Sequence, residues 1–268
     1  PNLMMKGINP VFVFDGIAPH LKQKTRDLRR AVKEKAKEKY DKALLEEDEE
    51  GIGKYAKQLT YINSDMFNES KELLMALGLS VVQAPSEAEA QCAYMAKKNK
   101  VWASASQDYD SLLFGAPKLI FNLTLSQKRK LSGGKFVYIS PYLVELDKVL
   151  SDLKLTQDDL IVLGILVGTD YNPGGVLGIG PKKALKLLKE EKDYSKIFSK
   201  LNVNFDWEEI FNTFKNIPVE DVVLNKTKLD EEKVKKILVD GHDFDINRVE
   251  KTLLEIKGKE NNGLKKWF

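Results

Sequence analysis

Short apolar runs alternate with helical patterns through the first half of the chain. PVFVFDG (10–16) reads as a strand ending in Asp15. LSVVQAP (79–85) and VWASAS (101–106) read as the next two strands, and KLIFNL (118–123) and KFVYIS (135–140) as two more. Residues 21–45, 54–78 and 87–98 carry helical patterns, the second closing at Gly78 as a C-cap. EEDEEGIG (46–53) is an acidic, glycine-containing break and is expected to be mobile. From Thr156 onward the pattern is mainly helical, without a repeat. Strands alternating with helices predict an α/β domain with a largely parallel sheet, followed by a helical part. The opening PNLMMKGINP reads as the tail of a helix running into a strand, so residues are expected to precede it.

Composition narrows the chemistry. The 268 residues are 43% hydrophobic and 31% charged, which describes a globular chain with a sizeable core. No apolar run reaches bilayer length, so no membrane span is expected. Cys92 is the one cysteine, which excludes a disulfide framework and suits a reducing interior. The two histidines, His20 and His242, are far apart in sequence, which argues against a histidine-rich zinc site and a Ser-His-Asp triad. Metal chemistry here falls to carboxylates, which favour magnesium or manganese. A net charge of +3 places any nucleic-acid signal in local patches.

The acids fall at the strand ends. Asp15 follows the first strand, Glu87 and Glu89 the second, Asp108 and Asp110 the third. Ligands of open α/β sheets bind beyond the carboxyl ends of strands, so these five are expected on one edge. Asp108 and Asp110 are two apart and point to the same side in extended chain. Asp170, in LVGTDYNPGG, is a sixth candidate. Local roles compete: Ser86 with Glu89 fits a capping box, Asp15-Gly16 fits a turn, and Asp110 fits a helix cap. Both readings stand for Glu89, whereas Glu87 has no evident structural task. Like charges gathered together call for cations. Six carboxylates suffice for two magnesium ions, the arrangement that assists phosphodiester displacement.

Two basic features stand nearby. Lys22, Arg26, Arg29, Lys33 and Lys37 recur along one helical face, and Leu28, Val32, Ala36 and Tyr40 are expected to form a packed face. The basic stripe is either a solvated surface or a guide for a phosphate backbone. GVLGIGPKKALKLL (175–188) joins a glycine hairpin to a helix with Pro181 in its first turn. Gly178 and Gly180 permit close backbone approach, and Lys182 and Lys183 add charge, which suits a DNA backbone clamp.

VFVFDG, APSEAEAQCAY, SASQDYDSLLFG and GTDY…GIGPKKAL together resemble the motifs of the flap endonucleases, structure-specific 5′ nucleases of the XPG type, and most of all their archaeal members. The resemblance covers nearly the whole chain. It implies a PIN-like α/β nuclease core (1–150) with a helical arch (20–78), and a helical region (151–256) with a helix–three-turn–helix clamp. It assigns Asp15, Glu87 and Glu89 to a first metal and Asp108, Asp110 and Asp170 to a second. Asp15, Asp108 and Asp170 are the catalytic acids in this scheme. Lys22 and Arg29 would contact the scissile phosphate, Arg26 and Lys33 the DNA, and Gly178 to Lys183 duplex DNA with a bound potassium ion. The implied cofactors are two Mg2+, with Mn2+ as a substitute. The family's first strand carries a further ligand aspartate that this sequence lacks.

The tail KGKENNGLKKWF (257–268) reads as a lysine-rich linker ending in an apolar face. Leu264, Trp267 and Phe268 are similar to the peptide that binds the PCNA sliding clamp, with Asn261 where that peptide has Gln. The expected reading is a monomeric, intracellular 5′ flap endonuclease and exonuclease of DNA replication and repair. Its localisation would be the cytoplasm and nucleoid of an archaeon, or the nucleus of a eukaryote. Its partners would be branched DNA and PCNA, with no membrane. A non-catalytic junction and clamp-binding module and an RNA-directed PIN-type nuclease are the alternatives.

Overall fold

The computed structural model describes residues 1–59, 63–123, 128–130 and 134–264. Helix α1 (Asn2–Met5) leads into strand β1 (Val11–Phe14), and a 3-10 turn (His20–Lys22) opens helix α2 (Gln23–Leu45). Helices α3 (Glu49–Leu59) and α4 (Ser64–Ala76) precede β2 (Ser80–Gln83), α5 (Ala88–Lys97), β3 (Ser104–Ser106), α6 (Asp110–Leu113) and β4 (Lys118–Phe121). Strands β5 (Lys128–Lys130), β6 (Phe136–Tyr138) and β7 (Tyr142–Glu145) follow. The rest is helical: α7 (Leu146–Leu153), α8 (Gln157–Val167), α9 (Pro181–Glu190), α10 (Tyr194–Leu201), α11 (Trp207–Asn216), α12 (Glu231–Lys235), a π-helical turn (Lys236–Asp240) and α13 (Ile246–Leu264). Among the described residues no helix is long and apolar enough to cross a membrane.

The chain divides into two compact units, each built from separated segments. The first holds the described residues of Pro1–Gly16, Ser64–Lys148 and Pro218–Phe268; the second holds those of Ile17–Asn63 and Val149–Ile217. The 20–78 segment read as an arch is thus shared between the units.

In the first unit β1 pairs in parallel with β2, from Val11 opposite Ser80 to Phe14 opposite Gln83. Strand β3 pairs in parallel with β4, and β7 closes that sheet antiparallel. Helix α5 packs on β1 and β3, and its Ala90, Ala93, Met95 and Ala96 are buried. Small side chains on this face let the helix lie close to both strand pairs. A second core joins Ala76, Leu77 and Leu79 to Val234 and to Val249, Leu253 and Ile256 of α13. Positions 249, 253 and 256 are one stripe of an amphipathic helix.

The second unit centres on α8. Ile161, Val162, Ile165 and Leu166 are each at most 1% exposed. Thr156 and Asp159 form a reciprocal capping box at its start. Helices α9, α10 and α11 contribute Ala184, Leu188, Ile197, Phe198, Ile210 and Phe214 to the buried set. Helices α2 and α3 pack on each other.

Several sequence expectations are corrected. The third strand is limited to Ser104–Ser106, Phe136–Tyr138 pairs with β5 in a separate hairpin, and β7 had no anticipated counterpart. The acidic break is a tight turn: Glu47 takes a left-handed φ of 54°, and Asp48 Oδ1 accepts from the Gly51 N–H at 3.0 Å, so helix resumes at Glu49. The 54–78 helix is two helices, α3 and α4. On α2 the buried residues are Thr25, Ala36 and Ala43, whereas Leu28 and Val32 are 52% and 63% exposed. The helix takes small residues, not the branched ones, into its packed side. The tail read as a linker is helical through Leu264.

Two glycines fix the loops that carry acids. A Cβ on Gly16 would lie 2.1 Å from the Ala84 carbonyl oxygen. Gly175 has φ +58°, and a Cβ there would lie 2.4 Å from the Val167 carbonyl carbon. Both clashes are with backbone, which cannot swing aside. Gly16→Ala and Gly175→Ala are each expected to lower unfolding free energy by about 1–3 kcal/mol. Chemical denaturation of the two variants against the parent checks this, and unchanged midpoints would contradict it.

Candidate metal centre

The first unit brings its acids to strand ends by simple means. The Asp15-Gly16 turn leaves β1 close against the segment after β2, with the Gly16 N–H donating to the Ser86 carbonyl at 2.6 Å. Gln83 Nε2 donates to the Asp15 carbonyl at 2.7 Å, and Lys71 Nζ donates to Gln83 Oε1 at 2.6 Å. Asp15 Oδ1 then accepts the Ala88 N–H at 2.8 Å. A carboxylate 73 residues away in sequence therefore caps the start of α5.

That arrangement displaces the expected Ser86–Glu89 capping box. The N-cap position is Glu87, in extended conformation and without a side-chain cap bond. The Glu89 carboxyl is engaged elsewhere: Ser106 Oγ at the end of β3 donates to Glu89 Oε1 at 2.5 Å. Ser106 Oγ also lies 3.3 Å from Asp108 Oδ1, and the Asp110 N–H donates to that same oxygen at 3.2 Å. Asp108, not Asp110, is thus the acceptor at the start of α6.

Oxygens of Glu89, Asp108 and Asp110 all lie within 4.8 Å of one another. Burial pushes the Glu89 carboxyl up to about 8, helped by its hydrogen bond to Asp108 and by the charges of Asp108 and Asp110. Near neutral pH a proton on Glu89 relieves the repulsion. An all-oxygen donor set of this charge fits a hard divalent cation, which would replace that proton. Asp108 is exposed, leaving the group open to solvent. Cys92, beneath the cluster, is pushed up to about 12 by burial, so it stays a thiol.

The other predicted acids are placed differently. Glu87 is 6% exposed, and neither it nor Asp15 belongs to the three-carboxylate group. Asp170 belongs to the second unit. Its side chain meets Lys22 Nζ at 3.3 Å and Arg29 Nη2 at 3.1 Å, and Thr25 Oγ1 donates to its carbonyl at 2.5 Å. Its loop is held by Asn172, which donates to the Ile165 carbonyl at 2.7 Å and accepts from Thr169. Lys22 and Arg29 are brought together by this acid. Arg26 and Lys33 lie on the same helix. In the hairpin Gly178 has φ +77°, Gly180 is the N-cap of α9 and Pro181 its first residue. Lys183 Nζ donates to the Gly178 carbonyl at 2.9 Å, and Lys182 sits in the first turn of α9. Trp267 and Phe268 lie outside the described residues, as do the side chains of Asn261 and Leu264.

Ser106 is the contributor that sequence reading missed. Its signal was present: positions 106, 108 and 110 share one side of an extended segment.

With a chelator present, Glu89 sets a pH dependence. Its folded value of about 8 stands above the ordinary 4.5, so the unfolded chain holds fewer protons between them. Stability contributed by this group is therefore lost as pH rises toward 8. Glu89→Gln removes that loss, so the variant's advantage in denaturant midpoint is expected to grow from pH 5 to pH 8. A constant difference would contradict the assignment.

The family model of the XPG I-region matches residues 78–170. Flap endonuclease 1 of Pyrococcus furiosus is 48% identical over 274 residues, spanning all of this chain and 80% of the relative. The solved flap endonuclease-1 from Methanococcus jannaschii is similar with a TM-score of 0.74 and 42% identity, covering 98% of this chain and 79% of that one. The catalytic core of Rad2 in complex with DNA substrate shares the fold at a TM-score of 0.68 and 23% identity, covering 95% and 80%. Likeness at this level over the whole length makes the chain a member of the flap endonuclease 1 family.

Proposed function

We propose that this chain is a structure-specific 5′ flap endonuclease, a DNA hydrolase of replication and repair inside the cell. The observation that carries the reading is the group of Glu89, Asp108 and Asp110, whose oxygens all lie within 4.8 Å of one another. In a member of this family such an all-oxygen donor set fits a hard divalent cation. Magnesium is the proposed ion, with manganese as a substitute. Asp15, Glu87 and Asp170 are proposed to complete a two-ion set. When bound, the ions supply charge neutralisation and an activated water for phosphodiester hydrolysis.

The chain's own residues have definable tasks. Ser106 orients Glu89 and Asp108 by hydrogen bonds. Lys22 and Arg29, poised on Asp170, are the cations to which the scissile phosphate is drawn. Arg26 and Lys33 extend positive charge along α2 and steer the backbone of the flap strand. The N-terminus of α9, with Gly178, Gly180, Lys182 and Lys183, receives phosphates of the duplex. Potassium is the ion proposed for that hairpin, where the Lys183 ammonium donates to the Gly178 carbonyl. The segments 1–150 and 151–256 then serve as nuclease core and duplex clamp, with 20–78 as the arch. Asn261, Leu264, Trp267 and Phe268 are proposed to dock on PCNA.

The test is cleavage of a 5′-labelled DNA flap, beside a matched RNA flap, with magnesium or chelator. Cutting of DNA with magnesium alone is expected. Asp108→Ala is expected to lose more than about 100-fold in rate, beyond the loss typical of an outer-shell partner, while junction binding persists. Junction binding without cutting in the parent would favour the non-catalytic module, and preference for the RNA flap an RNA-directed nuclease. Trp267→Ala with Phe268→Ala is expected to bring stimulation by PCNA down to none. Equal stimulation of variant and parent would remove the tail from the docking role.

A further inference from the structure

The sheet row that holds the carboxylates continues as aromatic rings. Across β3, β4 and β7 the register sets Ser106 opposite Phe121 and Phe121 opposite Tyr142. Ser106 begins the row by binding Glu89 and Asp108. Tyr109, the residue between Asp108 and Asp110, lays its ring on Phe121, with centroids 5.0 Å apart and planes 16° apart. Phe121 meets Tyr142 at 5.2 Å and 30°. The Tyr109 and Tyr142 hydroxyls lie 2.8 Å apart and share a hydrogen bond. Three rings thus form one platform directly beside the carboxylates.

Core packing does not account for it. Tyr109 is 52% exposed and Tyr142 42%, whereas Phe198, a core aromatic, is 2% exposed. Leaving such rings about half exposed forgoes about half of the gain from burying them. They are also placed where a basic contact would fail. A lysine at position 109 would pair with the carboxylates and compete with their cation. A ring adds affinity for nucleic acid without adding charge, and it accepts any base because every base has a π-face.

We propose that the Tyr109–Phe121–Tyr142 platform stacks a nucleobase of the strand whose phosphate lies at the carboxylate group, with Tyr109 as the contacting ring. The proposal rests on the flap endonuclease reading and adds a specificity-setting contact to it. Tyr109 is covalently flanked by two of the clustered acids, so a base held on its ring fixes the neighbouring phosphate against them. The contact is sequence-tolerant and senses whether a base is present.

The test uses the full chain and flap substrates in which one abasic nucleotide is moved stepwise past the cut position. With the parent protein, one abasic position is expected to lower single-turnover cleavage about tenfold. Tyr109→Ala is expected to show the same loss on intact DNA and no further loss at that position. Tyr109→Phe keeps the ring and is expected to cleave within about twofold of the parent. A purely structural role for Tyr109 would leave the abasic penalty intact in Tyr109→Ala, so multiplying losses overturn the proposal. So does a parent indifferent to every abasic position. Quenching of 2-aminopurine at the sensitive position, read with calcium and no turnover, separates this contact from the flap reading. Quenching by the parent and not by Tyr109→Ala supports stacking even if no flap is cut, and equal quenching by both overturns it.

Discussion

Repulsion among carboxylates is the constraint around which the first unit is arranged. Glu89, Asp108 and Asp110 are brought within 4.8 Å because β3 ends beside the first turn of α5. The Ser106 hydroxyl bonds to Glu89, burial pushes the Glu89 carboxyl up to about 8, and Asp108 is exposed to water. A hard cation bound by these oxygens would offset the same repulsion.

The remaining acids are kept in place by ordinary structural work. Asp15 caps α5, and this depends on the absence of a side chain at Gly16, since any Cβ would meet the Ala84 carbonyl. Asp170 stands at the end of α8 on a loop tied by Asn172 and closed by the crossing of Gly175 over Val167. Lys22 and Arg29 neutralise it. Opposite charges gathered on one side chain have two possible partners each: one another, or a phosphate and a cation. A protein of this family has use for both states.

On the proposed reading, charge and aromaticity divide the contacts with nucleic acid. Lysine and arginine line α2 and the start of α9. Beside Asp108 and Asp110 the sheet presents Tyr109, Phe121 and Tyr142. The change of contact type follows from the electrostatics of the site.

Much of this was legible in the chain itself. Strand ends carrying Asp15, Glu89, Asp108 and Asp110 could be read from apolar runs and from the two-residue spacing of acids, because side-chain alternation along a strand is fixed by backbone geometry. The capping box at Thr156 and the glycine–proline entry to α9 are local signals that involve only neighbours in sequence. What escaped the reading is non-local. The cap on α5 comes from Asp15 and not from Ser86, since hydrogen bonding across 73 residues leaves no mark in the helix's own sequence. The buried side of α2 was decided by α3, which takes Ala36 and Ala43 and leaves Leu28 and Val32 in water. Strand β7 was hidden because pairing, not pattern, makes so short a segment a strand. Sequence determined which residues have the chemistry of a cation site. Tertiary structure decided which of them share one, because a carboxylate's charge and protonation depend on distances that only the folded backbone sets.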